Sequence, residues 1–496
     1  MIRLPVSAGS DAPSASAAPL TSTGRFGLEL LVDLARLVPM EDPAADVVAI
    51  EVVEGTVRGE SLRSLAGRGW AIEAGDGVVR IPRAALEMAA EVAGAAAEQR
   101  SRARDRHDRV PSAENVLVAA GLEREPVVSL AARSLREAAV RAAGRRAVRL
   151  AEPWPEGRRW AAVFTHDLDV VALWPVFAAA RSLELARKGE TRQLVGAALA
   201  AARAAAGDPV LEGLRRLLEL ERELAILSTW FVLCGTPTRR TVAAGDLTYR
   251  PESRRARAAF DDIAAGGHEI GLHGSFATME SGGELRAQRE RLAGLTGEEA
   301  SGVRQHFLRM RPGVTQRAMV AAGFRYDSTY GFPDRNGFRL GVADVVPAWD
   351  AEHERTEPLE ELPLLWMDRA LSKYRGVENP DAWVDDALEL AELCRQIEGL
   401  WVGLWHPNLT PALGFPGAPQ AYERLARTIA ALDPFIAPAD RIATWRAARR
   451  SVRAERIAPD GSVMARMSGD PRATGAAASP VVLEDFTGRR RESVSK

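Results

Sequence analysis

The chain has 496 residues, 46% hydrophobic and 27% charged, with 65 lysines and arginines against 67 acidic residues and a formal net charge of -2. That balance excludes a broadly basic nucleic-acid or anionic-membrane surface, and the length asks for two domains plus tails. Two cysteines, Cys234 and Cys394, supply neither a disulfide framework nor a cysteine-rich zinc site.

The N-terminal twenty residues lack the continuous apolar run of a secretory signal, and no stretch is apolar over the roughly 18 residues a membrane helix needs. Val195–Ala206 comes nearest and is broken by Arg203. A cytoplasmic protein is therefore expected. Residues 1–24 are rich in Ser, Ala, Pro and Gly and are expected to be disordered. A small α/β domain of unassigned role follows over 25–150. Its signals are helical periodicity from Gly27, a strand over Ala45–Val53 and a hairpin over Trp70–Ile81 that turns at Gly75-Asp76-Gly77. Ala-rich helices follow over Pro82–Arg100 and Pro126–Arg146. Its single histidine, His107, falls in a charged stretch.

After a linker at Glu152–Arg159, Ala161–Asp169 (AAVFTHDLD) opens the second domain as a buried strand running into ionisable groups. Residues 174–226 form a helical insertion broken at Gly207-Asp208-Pro209. It leaves two placements open: over the mouth of the following fold, or as a helical hairpin packed on the N-terminal domain, which is preferred. Short apolar runs at Ile226–Leu233, Glu269–His273, Val303–Leu308, Phe324–Tyr330, Leu362–Met367 and Leu400–His406 then alternate with helical patterns. About seven strand–helix alternations predict an α/β fold with a parallel sheet, open or closed as a barrel, whose chemistry gathers at the carboxyl ends of the strands. The tail from 455 to 496 mixes Gly, Ser, Arg and Pro and is expected to be disordered.

Those strand ends carry the informative residues. The first gives Asp167 and Asp169, later ones His273, Arg304 and His306, Asp368 and His406. Three of seven histidines thus end separate strands. His166 and His268 lie beside the same runs and read as packing residues. Carboxylates and imidazoles in one pocket suit zinc or another divalent first-row ion. Three ligands leave a position for water, a free carboxylate can take its proton, and a histidine across the pocket can protonate a leaving group. That set hydrolyses an amide or an ester.

In order and spacing, FTHDLD, GHEIGLHGSFA, RQHF and LWH resemble the motifs of the polysaccharide deacetylase family, the NodB homology domain or carbohydrate esterase family 4, over about 155–450. The resemblance implies an irregular (β/α) barrel of about seven parallel strands. It further implies Asp167 as general base, Arg304 as the group that orients it, Asp169 and His273 as metal ligands, and His406 as acid. Two departures stand out. The aspartates are spaced as Asp-x-Asp, and the position four after His273, where the family carries a second histidine, holds Ala277. His306 stands where the family carries proline, so the expected metal set is Asp169, His273 and His306, with Zn2+ as the expected ion. Asp368 could partner His406. Backbone N–H groups near Phe307 could stabilise an oxyanion, and Phe307 and Trp405 are the expected substrate contacts, with Trp230, Trp349 and Trp366 as further candidates for stacking on sugar rings.

The function expected on this resemblance is metal-dependent removal of an acetyl group from an N-acetylated sugar or glycan precursor. Hydrolysis of another C–N bond in a small molecule, or a non-catalytic glycan-binding protein with a decayed site, are the alternatives. A carbohydrate or acetamido small molecule is the expected partner, with no nucleic acid and no membrane span.

Overall fold

The computed structural model describes residues 2–4, 19–55, 61–67, 70, 72–74, 77–144, 149–171, 174–203, 207–457, 463–467, 481–484 and 491–494. In the N-terminal region, β1 (Ile2–Arg3), α1 (Ser22–Leu34), β2 (Val48–Val53), α2 (Leu62–Ala66), β3 (Ile72–Ala74) and β4 (Val78–Pro82) lead into α3 (Arg83–Ala93) and α4 (Ala96–Arg100). The strands form a sheet in the order β1-β2-β4-β3, parallel except for the β3–β4 hairpin. Gly75 and Asp76 of the expected turn lie outside the described residues. Of the segment expected to be disordered over 1–24, β1 and the start of α1 are ordered, and 5–18 lie outside the described residues.

The single helix expected over 82–100 is split between α3 and α4 at Gly94 and Ala95, the latter in left-handed backbone. The break has a packing reason. A Cβ on Gly94 would lie 2.6 Å from Cδ1 of Trp349, so glycine lets that indole close on the helix end. α5 (Val116–Ala120) and α6 (Val127–Ala143) complete the region.

After β5 (Leu150–Ala151), the main sheet begins with β6 (Ala161–Leu168). The insertion follows as α7 (Trp174–Lys188), α8 (Thr191–Arg203) and α9 (Pro209–Glu223). Asp208 caps α9, its carboxylate accepting from the backbone N–H of Val210 and Leu211. Then come β7 (Thr229–Leu233), α10 (Arg239–Ala243), α11 (Arg254–Ala265), β8 (Glu269–Gly274), α12 (Gly282–Thr296), β9 (Gly302–Gln305), α13 (Val314–Ala321) and β10 (Tyr326–Asp327). An unforeseen pair, β11 (Val346–Asp350) and β12 (Arg355–Glu361), precedes β13 (Trp366–Met367), α14 (Pro380–Gln396), β14 (Leu400–Leu404), α15 (Ala418–Ala431), β15 (Phe435–Ile436) and α16 (Ala439–Arg450).

The strand order is β11-β12-β10-β9-β8-β7-β6-β14-β13, with β15 also on β6. Every pairing is parallel except β11–β12. The result is a curled, mostly parallel half-barrel, as expected. Register sets His273 beside Arg304 and Asp167 beside Phe231, and it carries Leu404 to Thr165, so one rim collects the carboxyl ends. The period of two does the rest. Ala161 and Val163 join one buried cluster with Phe231, Leu400 and Val402, whereas Ala162 and Phe164 join another with Trp230 and Val232 under the helices.

Two expectations are corrected. Among the described residues the insertion packs chiefly on the second domain and not on the N-terminal one: α7 and α8 lie against the turn at Pro411–Leu413, and α9 lies against α11 and α15. The tail is not without structure. β16 (Val452–Ile457) and β17 (Val463–Met467) pair antiparallel, and β18 (Val482–Glu484) joins β5 and β19 (Arg491–Ser493). Such short strands have little sequence signature of their own, and β18 takes its order from a partner over 300 residues away.

Candidate functional site

The site is built on the odd positions of β6. Thr165 and Asp167 take the inner parity and His166 the outer. Asp167 Oδ1 accepts from Arg304 Nη1 at 2.9 Å. Arg304 is fully buried and also donates to Thr165 Oγ1 (2.9 Å), Ser328 O (3.0 Å) and Ser328 Oγ (2.9 Å), its guanidinium lying 4.4 Å over the Phe231 ring. A buried guanidinium without such partners would cost several kcal/mol, so this array fixes the orientation of Asp167.

Asp169, just past the end of β6, faces three imidazoles. Its Oδ1 lies 3.3 Å from His273 Nε2 and 3.6 Å from His306 Nε2, and its Oδ2 lies 3.6 Å from His406 Nε2. Oδ1 is buried and has no hydrogen-bond partner among the described residues. The other ring nitrogens are committed. His273 Nδ1–H donates to Arg304 O (2.8 Å), and His306 Nδ1–H donates to Asp246 Oδ1 (3.2 Å). Two Nε2 atoms and an orphaned carboxylate oxygen therefore converge, close enough together to hold one ion. The structure thus brings together Asp169, His273 and His306, the three residues that the sequence groups as a candidate metal set. Burial works against the charge on Asp169, but the His306, His273 and His406 imidazoles outweigh it and hold the carboxyl well below its usual range.

His406 follows β14. Its Nδ1–H donates to Asp368 Oδ1 at 2.7 Å, and its backbone N–H donates to Asp368 Oδ2 at 2.6 Å. Burial pushes the imidazole's pKa down, but the Asp368 carboxylate, aided by Asp169 and Asp167, leaves it raised. Asp368 is thus the partner the sequence suggested for His406.

Asp167, Asp169, His273, His306 and His406 line a cavity of about 380 Å³. Phe307 lines it in left-handed backbone (φ 60°), stacked on His306 at 3.9 Å and on His107 at 4.9 Å. Trp405 does not contact this cavity and is a correction. It sits on the opposite parity from His406, 3% exposed and packed on Trp366, Trp383 and Tyr422. Trp230 packs on His166, Trp349 stacks on Phe26, and Trp366 stacks on Trp401, so none faces the cavity. His166 and His268 take structural places around Glu221 of α9: His166 Nε2 lies 2.8 Å and His268 Nδ1 3.7 Å from its carboxylate.

Sequence reasoning missed three contributors. Asp246 lies in an irregular loop where a lone aspartate carries no signal. Thr248, two residues on, donates to Asp169 O. The third is the loop 101–109: Arg106, His107 and Arg109 line the cavity, and Arg109 Nη1 donates to Phe307 O at 2.7 Å. Only a contact some 200 residues away in sequence gives that loop its meaning.

No family model and no curated protein matches the sequence. Among solved structures the chain is similar to a candidate polysaccharide deacetylase from Mycobacterium smegmatis (22% identity, covering 58% of this chain and 91% of that one, TM-score 0.39). It is similar to another from Pseudomonas aeruginosa (18%, 59% and 92%, TM-score 0.38) and to the PuuE allantoinase (16%, 59% and 92%, TM-score 0.39).

Proposed function

We propose that this chain is a metal-dependent hydrolase that removes an acetyl group from an acetamido sugar or a related small amide. The observation that carries it is the convergence of Asp169 Oδ1 with the Nε2 atoms of His273 and His306, flanked by the Asp167–Arg304 and Asp368–His406 pairs. Two imidazoles and one carboxylate suit zinc, and the orphaned Oδ1 is the atom such an ion would satisfy. Asp169, His273 and His306 would hold a divalent cation, and the chemistry it would supply there is Lewis-acid polarisation of the amide carbonyl and of the attacking water.

The chain's own residues do the rest. Asp167 takes a proton from the water at Oδ2, because Arg304 occupies its Oδ1. Across the cavity, His406 gives the Nε2 proton to the departing amine, its ring held by Asp368. Phe307 shields one wall from solvent. A cavity of about 380 Å³ suits a single sugar or a small amide, which keeps hydrolysis of another small-molecule C–N bond as the second reading.

The test is metal content and acetate release. Wild type is expected to hold about one zinc per chain and to lose it in Asp169→Ala, His273→Ala and His306→Ala. Retention of zinc at full stoichiometry and affinity by His306→Ala would remove His306 from the set. Failure of the wild type to bind any offered ion would sink the hydrolase reading.

A further inference from the structure

We infer that the substrate carries an oxyanion, a phosphate or a carboxylate, recognised by Arg106, Arg369 and Lys373 at the cavity mouth; the inference rests on the hydrolase reading above. All three line the same cavity as Asp169 and His406. None has an ion-pair partner among the described residues. The other cations there are committed: Arg109 pairs with Asp105 (2.7 Å) and Arg181 with Glu184 (2.9 Å) and Glu378 (2.5 Å). So are the carboxylates that could have served. Asp167 is held by Arg304, Asp169 faces the imidazoles, Asp368 holds His406, and Glu184 bridges Arg181 and Lys188.

Aromatic faces steady the unpaired cations without neutralising them. Lys373 Nζ lies 5.8 Å from the Phe307 ring centre and 5.7 Å from that of Tyr374, and the Arg369 guanidinium lies 5.3 Å over Phe415. Arg106 Nε–H donates to His107 Nε2 at 3.1 Å, a neutral acceptor.

The surrounding groups register the excess positive charge. Partial desolvation at the cavity wall pushes the Lys373 ammonium below its usual range, and Arg369 and Arg106 push it further. Burial, then Arg109 and Arg106, press His107 down to about 4. The Tyr374 phenol is lowered despite its burial, by Arg109 and Lys373. A field of one sign in a cleft concentrates ligands of the other. Because Arg106 comes from the N-terminal region, that region completes the wall that reads the substrate's charge.

The test is calorimetric titration of the metal-free full chain with N-acetylglucosamine, N-acetylglucosamine 1-phosphate and N-acetylmuramic acid. At least one anionic sugar is expected to bind about tenfold or more tighter than the neutral one in about 50 mM salt, and to lose that preference in about 0.5 M salt. Which anion binds tighter separates phosphate from carboxylate. Arg106→Gln and Lys373→Gln, both at exposed positions, are each expected to weaken the anion about threefold or more and the neutral sugar not at all. Equal binding of all three sugars, no binding of either anion, or an anion preference unchanged in both variants overturns the inference. Acetate release from the zinc-loaded protein separates the two readings. Release without charge preference leaves the hydrolase standing and the anion wall refuted. Variant-sensitive anion binding without release does the reverse.

Discussion

Asp246 and Asp368 perform the same service for two histidines of opposite purpose. Each accepts from an Nδ1–H and so turns Nε2 towards Asp169, in His306 as the proposed ligand atom and in His406 as the proposed proton donor. Asp246→Asn is expected to loosen the metal about 10- to 100-fold, read by competition with a chromophoric chelator. For His406 the sign follows from its raised pKa: the acid form persists to higher pH because Asp368 stabilises it. Asp368→Asn withdraws that carboxylate, so the alkaline limb of the rate profile is expected to move to lower pH, and kcat at pH 8 to fall by about 10²-fold. An unshifted alkaline limb in Asp368→Asn would assign the proton to another group. At this scale the site was largely legible, because Asp167, Asp169, His273 and His406 fall at the ends of periodic apolar runs. Asp246 was not, since its loop has no period, and Trp405 misled, since the strand-end neighbour of a site residue points the other way.

A buried carboxylate helps to fasten the insertion to the barrel. Glu221 of α9 is fully buried and accepts from Ser228 Oγ (2.7 Å) and from the Tyr422 hydroxyl, with His166 Nε2 at 2.8 Å. Burial opposes its charge, but His166, Tyr422 and His268 hold its pKa below the usual carboxylate range, so its contribution to stability is present above the unfolded value of about 4.3 and fades as pH falls through the folded one. Glu221→Gln is therefore expected to unfold more easily than wild type at pH 7, by about 3 kcal/mol, and the gap to narrow steadily below pH ~4. Denaturant titrations at the two pH values measure it; a gap independent of pH would mean that charge is not what fastens α9. Helices 174–226 were legible as helices, but their placement was not: amphipathic periodicity says that a face is buried, not against what. The same blindness hid β11–β12 and the C-terminal strands, whose order comes from pairing rather than composition.

The boundary near residue 150, clear in the linker composition, is not a boundary in the packing. One hydrophobic cluster runs from Leu31, Ile81 and Leu86 of the N-terminal region through Leu340, Val342 and Trp349 of the second. Phe26 stacks on Trp349 at 4.5 Å, and Arg339 of the second region is buried on Glu98 of the first. Asp33 at the end of α1 accepts from Arg446 (3.0 Å) and Arg450 (3.0 Å) of α16, over 400 residues away in sequence. Removing the N-terminal region would therefore uncover the second region's share of the common apolar cluster, take Glu98 from the Arg339 guanidinium, and take away the Asp33 anchor of α16. Exposing apolar surface costs about 25 cal/mol per Å², so a few uncovered core side chains amount to a large part of the roughly 5–15 kcal/mol by which a domain is usually stable. A fragment spanning 152–496 is thus expected to aggregate or to lose its cooperative thermal transition, and co-expression of 1–151 in trans to restore both. Cooperative unfolding of the lone fragment, at a midpoint within a few degrees of the full chain, would show instead that the two regions are separable and that the shared cluster is a docking surface between finished folds.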